Sequence, residues 1–133
     1  MKVKCINNNT QIIDYWPKTA TPVEELLQIE KIYDVYGLYL GEPMAYEVLL
    51  DESDDHTIDF PAYMFKVLDN RLPSFFVLGE SERFDNNGKT KTVPFISFPE
   101  WANDKLYFEK LVDGDQKSQE IFDNYKCLIY LKE

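Results

Sequence analysis

Short stretches rich in aliphatic and aromatic residues recur along the first 98 residues, and runs of Asn, Asp, Gly and Pro separate them. Segments of this length and composition are typical of β-strands bounded by turns. Every second residue from Met44 to Leu50 is apolar and shares one face, which predicts a strand with one side in the core. The predicted strands span residues 2–6, 11–16, 31–40, 44–51, 56–60, 64–68, 74–78 and 90–98.

Turn-forming residues indicate how two pairs of these strands are connected. The run 7–9 consists of three asparagines and predicts a hairpin between the first two strands. Asn87 and Gly88 form the pair that two-residue hairpin turns favour, just before the last predicted strand.

Helical patterns occupy a short N-terminal segment and the last third of the chain. Thr21 and Pro22 provide a cap and a first-turn proline, which predicts a short helix near residues 22–28. After Pro99 the apolar residues recur at i,i+4, which predicts one helix that stops near Gly114 and a second that starts near Asp115. Residues 127–131 fit either the end of that helix or a strand.

Strands followed by helices indicate one α+β domain over residues 1–133, mainly β in 1–98 and mainly helical in 99–133. We expect a curved, mostly antiparallel sheet or a small barrel, followed by two C-terminal helices. The 133 residues contain 44% apolar residues, which suffices for one packed core.

The location that the sequence predicts is the cytoplasm. No apolar run approaches the roughly 20 residues of a membrane-spanning helix, so no membrane interaction is expected. The N-terminus turns polar directly after Ile6 and lacks the apolar core of a secretory signal. Cys5 and Cys127 have no close-spaced partner and are expected to be free thiols.

Acidic residues are concentrated in one segment of the chain. The formal net charge is −10, and residues 21–60 alone hold eleven acidic residues against one lysine, Lys31. This charge argues against direct nucleic-acid binding and favours a basic protein partner, although it also serves to keep a small domain soluble.

The sequence contains no recognisable catalytic, cofactor or metal motif. His56 is the single histidine and lies in a polar turn, so a histidine-based catalytic site is not expected. Asp51, Ser53 and Asp55 have the alternating spacing of a calcium loop, but the required glycine and the closing glutamate are missing. Glycine-rich phosphate loops are absent from the sequence as well. We therefore expect no enzyme activity, cofactor or metal.

Tyrosines accompany the acidic residues and allow two interpretations. Most of them suit the core, but some could stand exposed among carboxylates as anchors for a partner. The residues that we predict to bind a partner are Asp51, Glu52, Asp54, Asp55, Glu47, Tyr36 and Tyr46.

Part of the chain resembles a known fold family. Residues 33–36, Tyr-Asp-Val-Tyr, and residues 59–67, from Asp59 to Val67, are similar to the opening and closing strands of SH3-like barrels. The resemblance covers residues 31–68 and implies a small barrel. Peptide-binding SH3 domains place a tryptophan after the central hairpin, whereas this chain has none between Trp16 and Trp101. The resemblance therefore does not imply recognition of proline-rich peptides.

The whole chain, with its small SH3-like barrel, acidic bias and appended helices, also resembles small bacterial immunity proteins. That resemblance implies an inhibitor that neutralises a basic toxin domain through an acidic surface. Two alternatives stay open at this point: an acidic inhibitor or adaptor that mimics nucleic acid towards a DNA-binding protein, and an enzyme whose site is built from dispersed residues.

Overall fold

The computed structural model describes residues 1–13, 19–84 and 88–131. Within these residues the strands are β1 (Lys2–Cys5), β2 (Ile32–Tyr39), β3 (Ala45–Val48), β4 (Ile58–Pro61), β5 (Phe65–Asp69), β6 (Val77–Phe84) and β7 (Thr90–Ser97). The helices are α1 (Pro99–Ala102), α2 (Tyr107–Val112) and α3 (Gln116–Leu131). Single 3-10 turns cover Thr10–Ile12, Val23–Glu25 and Ala62–Met64. None of the described helices is long and apolar enough to cross a membrane.

The strands form one antiparallel sheet in the order β4-β3-β2-β1-β5, and β7 adds to β2 and carries β6 on its other side. β2 connects the two parts of the sheet because its first residues pair with β1 and its last residues pair with both β3 and β7. Among the described strands, β4, β5 and β6 each have a single partner, so the sheet stays open. The prediction of an α+β fold with a mostly antiparallel sheet and C-terminal helices is confirmed, and because the sheet is open the alternative of a small SH3-like barrel is wrong.

β3 and the second half of β2 are buried on both faces of the sheet, which the alternating pattern of β3 did not predict. One core contains Val35, Leu38 and Tyr46, and the other contains Tyr36 and Tyr39 together with the helices. The register between β2 and β3 shifts after Val35, and this bulge explains why Val35 and Leu38 pack in the same core although they are three residues apart. The prediction of a single buried side for β3 is therefore wrong.

The helices cover the second core through stacked aromatic side chains. The rings of Phe98 and Tyr125 stack with centroids 4.2 Å apart, and Phe122 also packs on Phe98. Gly114 ends the α2 segment with a φ of 85°, and the Asp115 carboxylate accepts a hydrogen bond from an amide in the first turn of α3. The predicted helix end near Gly114 and the predicted helix start near Asp115 are confirmed, and residues 127–131 continue α3 as a helix. The last third contains three helices instead of two because Pro99 starts the short α1.

Two N-terminal predictions are wrong. β1 pairs with β2 and β5 instead of a neighbouring hairpin strand, and Thr10–Ile12 is a 3-10 turn. Residues 14–16 of the predicted second strand lie outside the described residues. The helix predicted near 22–28 is only a 3-10 turn at Val23–Glu25. The Gln28 amide donates to the hydroxyl of Tyr33 at 3.0 Å, and this bond takes the place of a helical one.

Candidate functional site

The acidic loop, residues 49–57, connects β3 to β4 and contains four of the acidic residues predicted to bind a partner. The side chains of Asp51, Glu52 and Asp55 are exposed, and the side chain of Asp54 is half-buried. The Asp51 carboxylate accepts hydrogen bonds from the amide and the hydroxyl of Ser53, at 2.9 and 2.7 Å. These bonds lower the pKa of Asp51 below its ordinary value, so the carboxylate is ionised at neutral pH.

Neighbouring elements hold the acidic loop by its backbone. Three side chains donate to its carbonyl oxygens: Lys31 to Leu50 at 2.8 Å, Lys126 to Asp54 at 3.2 Å and Gln119 to Asp55 at 3.1 Å. The donors come from the residue before β2 and from α3, on two sides of the loop. Because these contacts use backbone oxygens, they fix the loop while the carboxylates of Glu52 and Asp55 stay exposed.

A cleft of about 580 Å³, here called the α3 cleft, lies between the acidic loop, the start of β2 and α3. Buried and half-buried apolar groups line it, from β2 (Tyr33 and Tyr36) and from the acidic loop (Leu49 and Leu50). Ile32 and Tyr130 also line the cleft and are 51% and 59% exposed. The α3 cleft therefore combines an apolar lining with accessible apolar side chains.

Charged side chains surround the α3 cleft in an uneven ratio. Its lining includes four acidic residues, Asp34, Asp51, Glu52 and Asp123, and two lysines, Lys31 and Lys126. Both lysine ammonium groups donate to carbonyls of the acidic loop, as described above. The cleft is therefore anionic overall.

The structure separates the seven residues predicted to bind a partner. Tyr36 lines the α3 cleft together with Asp51 and Glu52, although the whole residue is only 4% exposed. Tyr46 is 5% exposed and packs in the first core, and Glu47 is 1% exposed. Tyr36, Tyr46 and Glu47 are buried because β2 and β3 are covered on both faces, so Tyr36 and Tyr46 follow the core interpretation of the tyrosines and not the interpretation as exposed anchors.

Glu47 belongs to a buried polar cluster instead. Its two carboxyl oxygens accept hydrogen bonds from the hydroxyls of Tyr39 (2.6 Å) and Thr57 (2.7 Å). Asp59 pairs with Glu47 across β3 and β4, and Arg83 from β6 binds the Asp59 carboxylate at 2.8 Å. Burial and, to a smaller extent, the charge of Asp59 raise the pKa of Glu47 to about 8, against the lowering effects of the two hydroxyl groups and of the Arg83 charge.

This cluster has the features of a structural centre. The Arg83 guanidinium lies 4.5 Å from the centre of the Tyr39 ring and donates to the Pro43 carbonyl at 3.4 Å, in addition to its bond with Asp59. It thereby joins β6 to β2, to β4 and to the connection between β2 and β3. Both Glu47 oxygens have a hydroxyl partner, so the carboxyl group is already satisfied by groups of the chain itself.

His56 lies at the end of the acidic loop and outside the described lining of the α3 cleft. It is half-buried, its Nδ1 is 2.9 Å from the Thr57 carbonyl, and its ring packs edge-on against Phe108. Its contacts are thus with backbone and with an aromatic ring. Cys127 is exposed in the α3 cleft, whereas Cys5 is buried, and both are free thiols as predicted.

Comparison of the chain with protein-family models, with curated proteins and with solved structures finds no match. The acidic loop and the α3 cleft are therefore the features that indicate a function.

Sequence reasoning missed the contribution of α3 to this site. Asp123, Lys126, Cys127 and Tyr130 all line the cleft and are spaced at i, i+3, i+4 and i+7. This spacing places four side chains on one helix face, and it was available in the sequence. The sequence did not indicate that this face meets a loop about seventy residues earlier in the chain.

Proposed function

We propose that this chain is a non-catalytic cytoplasmic inhibitor of the immunity type, which neutralises a basic toxin domain by binding it through the acidic loop. The observation that carries the proposal is the way the loop is held. Lys31, Gln119 and Lys126 bind its backbone carbonyls, while the carboxylates of Glu52 and Asp55 are exposed.

A fixed acidic loop suits a fast and tight inhibitor for two physical reasons. An ordered loop loses little conformational freedom on binding, so less of the contact energy is spent on ordering. Exposed charges of one sign also steer an oppositely charged partner and raise the association rate. Toxins that act on nucleic acids are basic where they meet their substrate, and an acidic surface bound there blocks that site.

The test is capture of a partner from the native cell lysate with the tagged chain and with a charge-reversed variant. The variant is Glu52→Lys/Asp55→Lys, because Asp51 and Asp54 accept hydrogen bonds from loop amides and their replacement would disturb the loop itself. The matched control is Glu109→Lys/Asp113→Lys, which reverses two exposed charges at α2. We expect a stoichiometric basic toxin domain with the wild type and the control, and loss of it with the variant.

Two other results would argue against this proposal. Equal capture by the variant and the wild type would contradict binding through the acidic loop. Capture of a DNA-binding protein that duplex DNA displaces would favour the alternative of an inhibitor or adaptor that mimics nucleic acid. Inhibition of the toxin's activity by the purified chain then separates an immunity protein from a passive binder.

A further inference from the structure

Two clefts on the surface differ in whether their charged side chains form ion pairs with each other. The larger one, of about 750 Å³, is lined by Lys2, Asp34, Asp69 and Arg71. These side chains form ion pairs with each other, Lys2 with Asp34 at 3.4 Å and Arg71 with Asp69 at 2.8 Å. Its cations and carboxylates thus balance each other within the chain, which leaves little to attract a charged ligand.

The α3 cleft keeps an excess of negative charge. Its two lysines donate to carbonyls of the acidic loop, and three acidic side chains line the same space in addition to Asp34, which is paired with Lys2. The exposed Glu52 is one of them. A cationic occupant therefore gains electrostatic energy in the α3 cleft, and an anionic occupant loses it.

The apolar groups of the α3 cleft indicate which kind of cationic side chain fits it. Ile32 and Tyr130 are more than half exposed on opposite walls, on β2 and α3, and Tyr33 already holds the ammonium group of Lys31 at 5.1 Å from its ring centre. Long cationic side chains pack their aliphatic stems on apolar surface and place their charge on aromatic faces or carboxylates. Arginine does this best because its planar guanidinium both stacks and forms forked bonds to carboxylates.

We propose that the α3 cleft takes a short segment of the basic partner in which an arginine side chain stands next to an apolar one. This inference rests on the proposed function and assigns the recognition to the cleft behind the acidic loop. The volume of about 580 Å³ lies within the range of pockets that bind small ligands and short peptide segments. The carboxylates bind the guanidinium, while Ile32 and Tyr130 close over the apolar neighbour.

Cys127 provides a reporter inside the cleft. Its thiol is exposed in the lining, whereas Cys5 is buried and burial raises the pKa of the Cys5 thiol. A neutral alkylating reagent will therefore modify Cys127 first in the folded chain. An occupant of the α3 cleft slows this modification, and a ligand bound elsewhere on the acidic loop does not.

The experiment uses the full chain and a blocked hexapeptide of alternating arginine and leucine. Two comparison peptides replace arginine by citrulline, which removes the charge, or leucine by glycine, which removes the apolar groups. At a peptide concentration about ten times Kd, alkylation of Cys127 should slow about tenfold with the arginine and leucine peptide. Either comparison peptide at the same concentration should protect it less.

Two tyrosine variants test the wall of the cleft. Tyr130→Ala removes the exposed ring on α3, and we expect about three- to fivefold weaker binding of the peptide. Tyr63→Ala removes a ring of similar exposure on the 3-10 turn after β4, outside the cleft, and should leave the affinity unchanged.

The outcomes separate this inference from the proposed function. One result would be that the peptide binds without protecting Cys127 and that Glu52→Lys/Asp55→Lys abolishes this binding. It would overturn the cleft as the binding site, while the acidic loop keeps its role. If no peptide bound, the inference that the α3 cleft takes an arginine next to an apolar side chain would be overturned. The proposed function would still be decided separately, by capture of the toxin domain. Equal protection by the arginine and glycine peptide would show that charge alone is recognised and would overturn the apolar part.

Discussion

Glu47 and Asp59 face each other across the antiparallel pair of β3 and β4, where burial raises the pKa of both carboxyl groups and the charge of Arg83 opposes this rise. Two carboxyl groups thus share one guanidinium in a place where Glu47 is 1% exposed. An ionised pair would leave one buried negative charge without a compensating cation. With a pKa of about 8, Glu47 therefore keeps its proton in the folded chain at neutral pH, and one of its two hydroxyl partners then accepts the hydrogen bond from this proton.

The first prediction concerns the pH dependence of stability. The folded chain holds the proton of Glu47 up to a pKa of about 8, whereas the unfolded chain releases it near the ordinary value of 4.5. A folded-state pKa above the unfolded value means that the full stabilisation is present below pH 4.5 and is lost as pH rises to 8. We expect the free energy of unfolding to fall by an amount on the order of several kcal/mol across this window.

Glu47→Gln provides the control for this prediction. The amide is neutral at every pH and has nearly the shape of the protonated acid, so the variant should lack most of the slope between pH 5 and 8. Urea unfolding at several pH values measures both chains. Identical slopes for the two would contradict a proton held on Glu47.

The second prediction concerns Arg83, which joins β6 to Asp59 and covers Tyr39. Arg83→Met keeps part of the side-chain volume but leaves the neighbouring carboxyl groups without a cation. We expect a loss of about 2 to 3 kcal/mol of unfolding free energy at pH 7. The added change Asp59→Asn should restore part of it, because the uncompensated charge is then removed.

Arg71→Met is the matched control for Arg83. Arg71 also binds an aspartate at 2.8 Å, but its side chain is 86% exposed against 16% for Arg83. Water and salt screen the exposed pair, so the unfolding midpoint of Arg71→Met should match that of the wild type. Equal effects of the two arginine variants would argue against a special role of the buried cluster.

The third prediction concerns Gly79 of β6. A Cβ atom at this position would lie 1.9 Å from the carbonyl oxygen of Ala102 at the end of α1. Because the opposing atom is backbone, β6 and α1 must move apart, and Gly79→Ala should cost about 3 kcal/mol of unfolding free energy. Gly41→Ala is the control, since its Cβ would meet Val93 at an ordinary 3.4 Å. Thermal unfolding of both variants measures the difference, and similar melting temperatures would contradict the tight contact.

The fourth prediction separates the order of the acidic loop from its charge. Gln119→Ala removes a donor to the Asp55 carbonyl without changing the net charge. We expect faster amide exchange in residues 51–55 and weaker binding of the partner by about threefold, since the loop must then be ordered on binding. Gln116→Ala is the control, because the Gln116 amide binds Glu120 within α3 and makes no described bond to the loop. Unchanged exchange in Gln119→Ala would show that the loop is held without this contact.

The strands that sequence reasoning located best are those with dense apolar composition. The 31–40 and 90–98 predictions match β2 and β7 closely, and the start of α3 follows from its cap at Asp115. The weaker predictions failed where a local sequence pattern competes with hydrogen bonds to residues outside the segment. The segment near 22–28 has good helix signals, yet two of its backbone amides donate to the hydroxyls of Thr10 and Tyr33, and the helix does not form.

The acidic loop could be located from the sequence because consecutive acids between two apolar strands have no place in a core. Its anchoring and the α3 cleft could not be found in this way. Lys126 and Gln119 are separated from the loop by more than sixty residues, and only the packing of α3 against the sheet brings them together.

Composition and local periodicity by themselves determined that this chain builds an antiparallel sheet followed by helices and concentrates its negative charge between residues 21 and 60. Tertiary structure alone decided which of those charges reach the surface. Glu47 and Glu52 are the same residue type in the same segment, but β3 is covered on both faces and buries the first, while the loop after it exposes the second. Burial depends on what packs against each face of a strand, and that information lies in distant parts of the chain.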